Sequence, residues 1–270
     1  MRIQVDHHTR YSYEYPASGI VQALRVTPRN SDAQYIRHWR VDADVDGTMR
    51  EGVDAFGNHV IMFYVEGQVT ELTLTVTGEA DVADTAGIVR AAERLPAAVY
   101  LRTTELTQPD AAILDWVRTL DSGNVLATLH ALTASLHRHM SFDVTETDVA
   151  TPAATAFAAT RGVCQDFAHI FCAAARSLGV PARYVSGHLA RAGHEAMEAA
   201  HAWVEALVPD LGWVAFDPAN GICATDAYLR VAIGLDYRDA APVRGARRGG
   251  GTEAMHVHVR AGHAGEQQQG

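Results

Sequence analysis

Along the first third of the chain, apolar and polar residues alternate in short runs. Tyr11-Ser12-Tyr13-Glu14-Tyr15 alternates up to Pro16. Ile20 to Val26 is a second run, ended by Thr27-Pro28-Arg29-Asn30, and Tyr35 to Val45 a third, ended by Asp46-Gly47. After the turn Asp54-Ala55-Phe56-Gly57-Asn58, His59 to Glu66 forms a fourth. From Val69 to Thr77, Leu72, Leu74 and Val76 share one face, and Glu71, Thr73 and Thr75 the other. A period of two marks a half-buried strand. Short strands punctuated by turns predict an N-terminal antiparallel β-sandwich-like domain over residues 1–82.

Residues 83–96 read as a linker, and beyond them the period lengthens. Pro109-Asp110 opens a helix that runs through Leu120, and Asp121-Ser122-Gly123-Asn124 breaks it. Leu126, Leu129, Leu132 and Leu136 mark a second helix ending near His139. Phe142 to Val149 is expected to be extended. Thr151-Pro152 opens a short helix through Ala159, since proline suits the start of a helix. From Cys164, Phe167, Phe171, Ala174 and Leu178 recur on one helical face until Gly179 and Pro181 stop it. Ala182 to Leu189, His201 to Val208 and Trp213 to Asp217 read as strands, the last two joined by the turn Pro209-Asp210-Leu211-Gly212. Arg191 to Ala200 is a loop of small residues and a candidate lid. Met255 to Arg260 alternates as a strand. The expected class is α+β: the β-rich domain, then a domain of helices and strands over 97–262, with residues 263–270 as a disordered tail.

With 270 residues, 48% hydrophobic and 20% charged, the composition is that of a globular protein. A formal charge of −10 argues against nucleic acid or an anionic membrane as partner. No apolar run approaches the ~18 residues of a membrane span. The N-terminus is charged and alternating, unlike a signal peptide. An odd number of cysteines, three, makes a disulfide framework unexpected, and the expected location is the cytoplasm. All 22 basic residues are arginine; there is no lysine.

The candidate chemistry centres on Cys164 in the first turn of its helix. There the unpaired N–H groups and the helix dipole favour an anion, and the thiolate is the nucleophilic form of cysteine. His201 and Asp217 follow, so cysteine, histidine and aspartate occur in the order of a thiol triad. A hairpin register placing Asp217 opposite Trp203 makes His201 its diagonal neighbour, roughly 7–8 Å away at the backbone. A slip of one residue would turn Asp217 to the other face. Backbone N–H groups near Cys164 are candidates for holding an oxyanion.

Gln165, Asp166, Tyr184 and Trp203 are candidates for lining the site. Asp166 also suits a first helical turn without any function, and Tyr184 and Trp203 also suit core or cleft wall. Cys172 and Cys223 read as core residues, and His169, one turn past Cys164, as a core or surface histidine. His188, His194 and His201 form a conceivable zinc set, but no H-E-x-x-H or C-x-x-C pattern accompanies them. No cofactor is expected.

The segments G-V-C-Q-D-F-A-H, P-A-R-Y-V-S-G and H-A-W-V-E…G-W-V-A-F-D-P-A-N-G resemble the core of the bacterial transglutaminase-like superfamily. The resemblance is close over about residues 150 to 240, and the β-rich first part resembles the N-terminal region that accompanies this core in one bacterial branch. It implies a papain-like fold, with Cys164 as nucleophile, His201 as base and Asp217 as orienting carboxylate. The family's upstream aromatic or amide oxyanion donor has no counterpart here; Trp116 is too far from Cys164. The superfamily spans cross-linking enzymes, proteases, amidases and inactive members. The expected function is cysteine-dependent acyl transfer from peptide or isopeptide amide bonds of a peptide or protein substrate. Hydrolysis is preferred, with amine transfer as the alternative and an inactive binding module as a third reading.

Overall fold

The computed structural model describes residues 1–91, 93–145, 147–190 and 200–263. The alternating first third forms β1 (Arg2–Leu24), β2 (Gln34–Ala43), β3 (Thr48–Val53), β4 (His59–Val65) and β5 (Val69–Val82), in the order β2-β5-β1-β4-β3, all antiparallel. Two of the expected runs, Tyr11–Tyr15 and Ile20–Val26, belong to one long strand. Pro16 does not end it. The pairing of β1 with β5 shifts register between Ser12 and Ala17, and such an irregularity accommodates a residue with no N–H to donate. Beyond the shift β1 pairs with β4. The sheet curls round one core, in which Tyr11, Ile20, Leu24, Phe63 and Leu72 pack with Trp39 and Met49.

The helical period also takes the expected form. The helix α1 (Ala111–Arg118) is capped by Asp110, which accepts from Ile113 N at 2.9 Å. Asn124 does the same for α2 (Val125–His139), accepting from Ala127 N at 3.0 Å. Such caps satisfy donors that the helix itself leaves unpaired. Then come α3 (Ala153–Ala159) and α4 (Cys164–Ser177).

The second sheet is six-stranded: β6 (Ile88–Val89), β9 (Ala182–Leu189), β10 (Ala200–Val208), β11 (Gly212–Asp217), β12 (Ile222–Cys223) and β13 (Tyr228–Gly234). Its order is β12-β11-β10-β9-β13, with β6 on β11, and every pairing is antiparallel. The remaining strands β7 (Ser141–Phe142) and β8 (Arg161–Gly162) form a small parallel pair just ahead of α4. The helix α4 lies on this sheet and is buried on nearly every side. Phe167, Ile170 and Phe171 share one core with Leu129, Leu132 and Leu136 of α2 and with Val204 and Phe216 of the sheet. The other sheet face carries a second core of Tyr100, Val185, Trp203, Trp213 and Tyr228. A buried helix carrying cysteine at its tip, laid on an antiparallel sheet, is the papain-like α+β arrangement that the resemblance implies.

Other expectations also differ from the structure. Residues 83–96 are not purely a linker, because Ile88 and Val89 pair with Val214 and Trp213. Of the stretch Phe142 to Val149, only Phe142 belongs to a strand among the described residues, at the end of Ser141–Phe142. Asp143 Oδ1 then accepts from Thr145 N at 2.9 Å and Thr145 Oγ1 at 2.8 Å, which folds the chain into a local turn in place of a strand. After the short helix α5 (Tyr237–Ala240), β14 (Val243–Gly249) and β15 (Glu253–His263) return to the first sheet and pair with β1. The residues from Val243 therefore belong to the N-terminal sheet, although 97–262 was expected to be one catalytic unit. Residue 263, expected in the tail, is the last of β15; the rest of that tail lies outside the described residues.

Candidate active site

The site is built where α4 begins. Gly162 precedes the N-cap Val163, and a Cβ at Gly162 would sit 2.5 Å from Asp166 Oδ2. Glycine there lets the Asp166 carboxylate fold back over the start of the helix. Its Oδ2 accepts from Val163 N at 2.8 Å and from Thr147 Oγ1 at 2.7 Å, tying the preceding loop to α4. Burial pushes the Asp166 carboxyl above its ordinary range, against the pull of these hydrogen bonds. Asp166 thus shapes the helix start. Cys164, the first residue of α4, is half-buried.

His201 and Asp217 arrive on neighbouring strands. The ladder pairs Val204 with Phe216, so one further step sets Asp217 opposite Trp203, with His201 two residues earlier. His201 Nε2 lies 2.6 Å from Asp217 Oδ2, and the Cys164 thiol is close enough to act on the imidazole electrostatically. The imidazole, 8% exposed, is held between the thiol and the carboxylate. Burial alone would lower its pKa. The hydrogen bond to Asp217 and the charges of Asp217 and Cys164 outweigh burial and hold it at about 10.

Asp217 is fully buried and well supplied with donors. Oδ1 accepts from Ala219 N at 3.0 Å and Asn220 N at 3.2 Å. Oδ2 accepts from His201, from Asn220 Nδ2 at 2.6 Å and from Tyr228 OH at 2.7 Å. Burial opposes ionisation, but His201, Asn220 and Tyr228 together hold the carboxyl below its ordinary value. An arrangement of this kind can keep an imidazolium poised beside a sulfur anion.

Of the other candidates, Trp203 is brought to the histidine. Its ring lies nearly parallel to His201, with centroids 6.2 Å apart, and Tyr228 meets it edge-on at 5.4 Å. A Cβ at Gly187 would come within 2.6 Å of the Trp203 ring, so glycine there makes room for this wall. Trp203 is 2% exposed and supports the histidine from behind. Tyr184 is equally buried and packs on His169 at 5.2 Å; burial, with Cys164 next in effect, pushes its phenol well above the ordinary value. Gln165 is buried, and its Nε2 has no hydrogen-bond partner among the described residues.

His169 is fully buried, accepts from Tyr237 N at 3.1 Å, and is pushed by burial down to about 3, so it is a neutral core residue. Cys172 is likewise core, its thiol pushed by burial up to about 11. His188 is buried and faces His7 at 6.0 Å. His194 and the expected lid, Arg191 to residue 199, lie outside the described residues. Among the described residues no group of three or more His, Cys, Asp or Glu side chains is placed to hold a metal.

Two partners of Asp217 escaped the sequence reading. Asn220 carried a signal: an Asp followed three residues later by Asn, across Pro218, is turn chemistry. Tyr228 carried none, being eleven residues on and across a fold-back.

The transglutaminase-like superfamily is matched over residues 115–218, a span containing Cys164, His201 and Asp217, and the bacterial transglutaminase-like N-terminal region over residues 3–81. The chain belongs to the transglutaminase-like superfamily. It is 32% identical over 276 residues to an uncharacterised protein of Mycobacterium leprae, covering 96% of this chain and 97% of that one. It is 30% identical over 275 residues to an uncharacterised protein of Mycobacterium tuberculosis, covering 90% and 87%. A crystal structure of a presumed cysteine protease from Cytophaga hutchinsonii superposes with a TM-score of 0.78 at 20% identity, covering 97% of this chain and 90% of that one, which shows the shared fold.

Proposed function

We propose that the protein is a cysteine-dependent acyl-transfer enzyme that hydrolyses amide bonds of a peptide or protein substrate. The observation that carries this reading is the imidazole of His201 held between Cys164 and Asp217. With His201 protonated, Cys164 acts as thiolate and attacks the substrate carbonyl carbon. The tetrahedral oxyanion is held by backbone N–H groups at the tip of α4, aided by the helix dipole. His201 gives its proton to the departing nitrogen as the C–N bond breaks, leaving a thioester on Cys164 and a free amine. Now neutral, His201 takes a proton from water as its oxygen adds to the thioester carbonyl. The C–S bond then breaks, the acid leaves, and the thiolate–imidazolium pair is restored. Asp217 keeps the imidazole oriented and stabilises its charged form throughout.

The pH dependence follows from His201. Its proton must be present for the leaving amine, and Asp217 and Cys164 hold it to about pH 10. The alkaline limb of kcat/KM is therefore expected well above the ordinary imidazole range of ~6.5. A limb near that ordinary value would show that the histidine is not held in this way.

The test of the function is incubation with a mixture of amide-containing peptides, with and without a small primary amine, read by mass spectrometry. Hydrolysis products that require Cys164 are expected in both arms. Amine incorporation dependent on Cys164 would overturn the preference for water. The chain lacks lysine, so the protein incubated alone at high concentration is expected to form no covalent ladder.

A further inference from the structure

We propose that Asn220 and Tyr228 are positioning residues that lock the Asp217 carboxylate against His201 and so set the pH at which the thiolate–imidazolium pair assembles. This rests on the reading of Cys164, His201 and Asp217 given above. Three donors converge on one oxygen, Asp217 Oδ2: His201 Nε2 at 2.6 Å, Asn220 Nδ2 at 2.6 Å and Tyr228 OH at 2.7 Å. They come from three places in the chain: the start of β10, the loop after β11 and the start of β13. A buried carboxylate with a single partner could swing out of line with the imidazole. Here any rotation about the Asp217 side chain that lost His201 would also break the bonds to Asn220 and Tyr228.

The two residues act from opposite kinds of support. Asn220 lies on Asp217's own loop. Its backbone N–H reaches Asp217 Oδ1 at 3.2 Å while its side chain reaches Oδ2, and Nδ2 stands 3.4 Å from His201 Nε2. Asn220 thus grips both oxygens and borders the histidine. Tyr228 is anchored in the core, 5% exposed, with its ring edge-on to Trp203, which in turn stacks on His201. One packed unit, Tyr228–Trp203–His201, therefore places the hydroxyl and the imidazole relative to each other.

The consequence is electrostatic as well as geometric. Hydrogen bonds to the charged form of a carboxylate favour ionisation. Removing one donor makes Asp217 protonate at a higher pH, and a neutral Asp217 no longer supports the imidazolium. Cys164 then enters its reactive state only at higher pH. The groups facing Asp217 Oδ2 in hydrogen-bond contact are His201, Asn220 and Tyr228, with Cys164 next beyond His201.

The experiment compares the wild-type full chain with Tyr228→Phe and Asn220→Ala. Tyr228→Phe removes one oxygen and leaves the ring packing in place, and Asn220 is only partly buried, so both variants are expected to fold. Three readouts are taken: kcat and KM on an amide substrate, the pH profile of Cys164 alkylation by iodoacetamide, and the thermal midpoint. Each variant is expected to lose about tenfold in kcat with KM unchanged, the scale of a hydrogen bond to a charged group. In both, the acid limb of turnover and of alkylation moves to higher pH. An unshifted acid limb in both variants would overturn the proposal, as would a loss of kcat that only follows loss of folded protein. If the wild type alkylates at Cys164 but turns over no amide, the proposed function fails. The alkylation profiles still decide the role of Asn220 and Tyr228.

Discussion

Replacing Cys164 by serine is expected to lower turnover on the order of a thousandfold or more while leaving the melting curve in place. Serine is close to cysteine in shape, and Cys164 sits half-buried at the tip of α4 with the deep core behind it. What is lost is the sulfur anion: a serine hydroxyl does not ionise beside an imidazolium, so no charged nucleophile forms. His201→Ala is expected to cost a similar factor, because the members of such a site act as a unit, and Asp217→Asn as much or less. Steady-state kinetics with thermal melts on the same samples check this. Wild-type turnover by the Cys164→Ser protein would end the thiol mechanism.

Replacing Arg183 by methionine is expected to destabilise the fold by about 2–3 kcal/mol, because it removes one of the two cations bonded to a buried carboxylate. Arg183 and Glu205 are both fully buried, with Nε 2.6 Å from Oε2. The same guanidinium grips Glu93 with two nitrogens, at 2.6 and 3.0 Å, and lies 3.9 Å over the ring of Trp213. Glu205 would be left with Arg230 alone, at 2.7 Å. Burial opposes ionisation of Glu205, and Arg230 and Arg183 together keep its carboxyl below the ordinary range. Glu205 lies four residues beyond His201 on the same strand, so this cluster also steadies the strand that carries the imidazole. Urea unfolding measures the loss. A change within ~1 kcal/mol would show that the pair adds little beyond its own desolvation.

The parts of the fold that were legible in the sequence are those fixed by neighbours in the chain. The helix behind Cys164 shows its apolar period and its stop at Gly179-Val180-Pro181. The hairpin that aligns His201 with Asp217 is set by a short turn and by alternation on both strands, and its register was readable for that reason. The return of β14 and β15 to β1 was not readable. Alternation from Met255 marks a strand, but it says nothing about which strand will pair with it. Pro16 misled because a proline inside a long bent strand and one that ends a strand look alike locally. Arg183 and Glu205 resemble ordinary polar strand positions until the pairing of β9 with β10 sets them opposite each other. Asp166 stood in a first helical turn, where a carboxylate needs no further reason, and its bond to Thr147 depends on a loop whose path the sequence does not specify. Tyr228 reaches Asp217 only because β13 folds back beside the site.

The proposed chemistry requires Cys164 to be an activated thiol. The direct measurement is brief alkylation with iodoacetamide near neutral pH, with the adducts mapped by mass spectrometry for the wild type and for His201→Ala. The protein contains two internal references: Cys172, whose thiol burial holds at about 11, and Cys223, also pushed up by burial. Cys164 is expected to be labelled well before either, and the advantage to be lost when His201 is replaced. Labelling of Cys164 no faster than Cys172, or unchanged in His201→Ala, would contradict it.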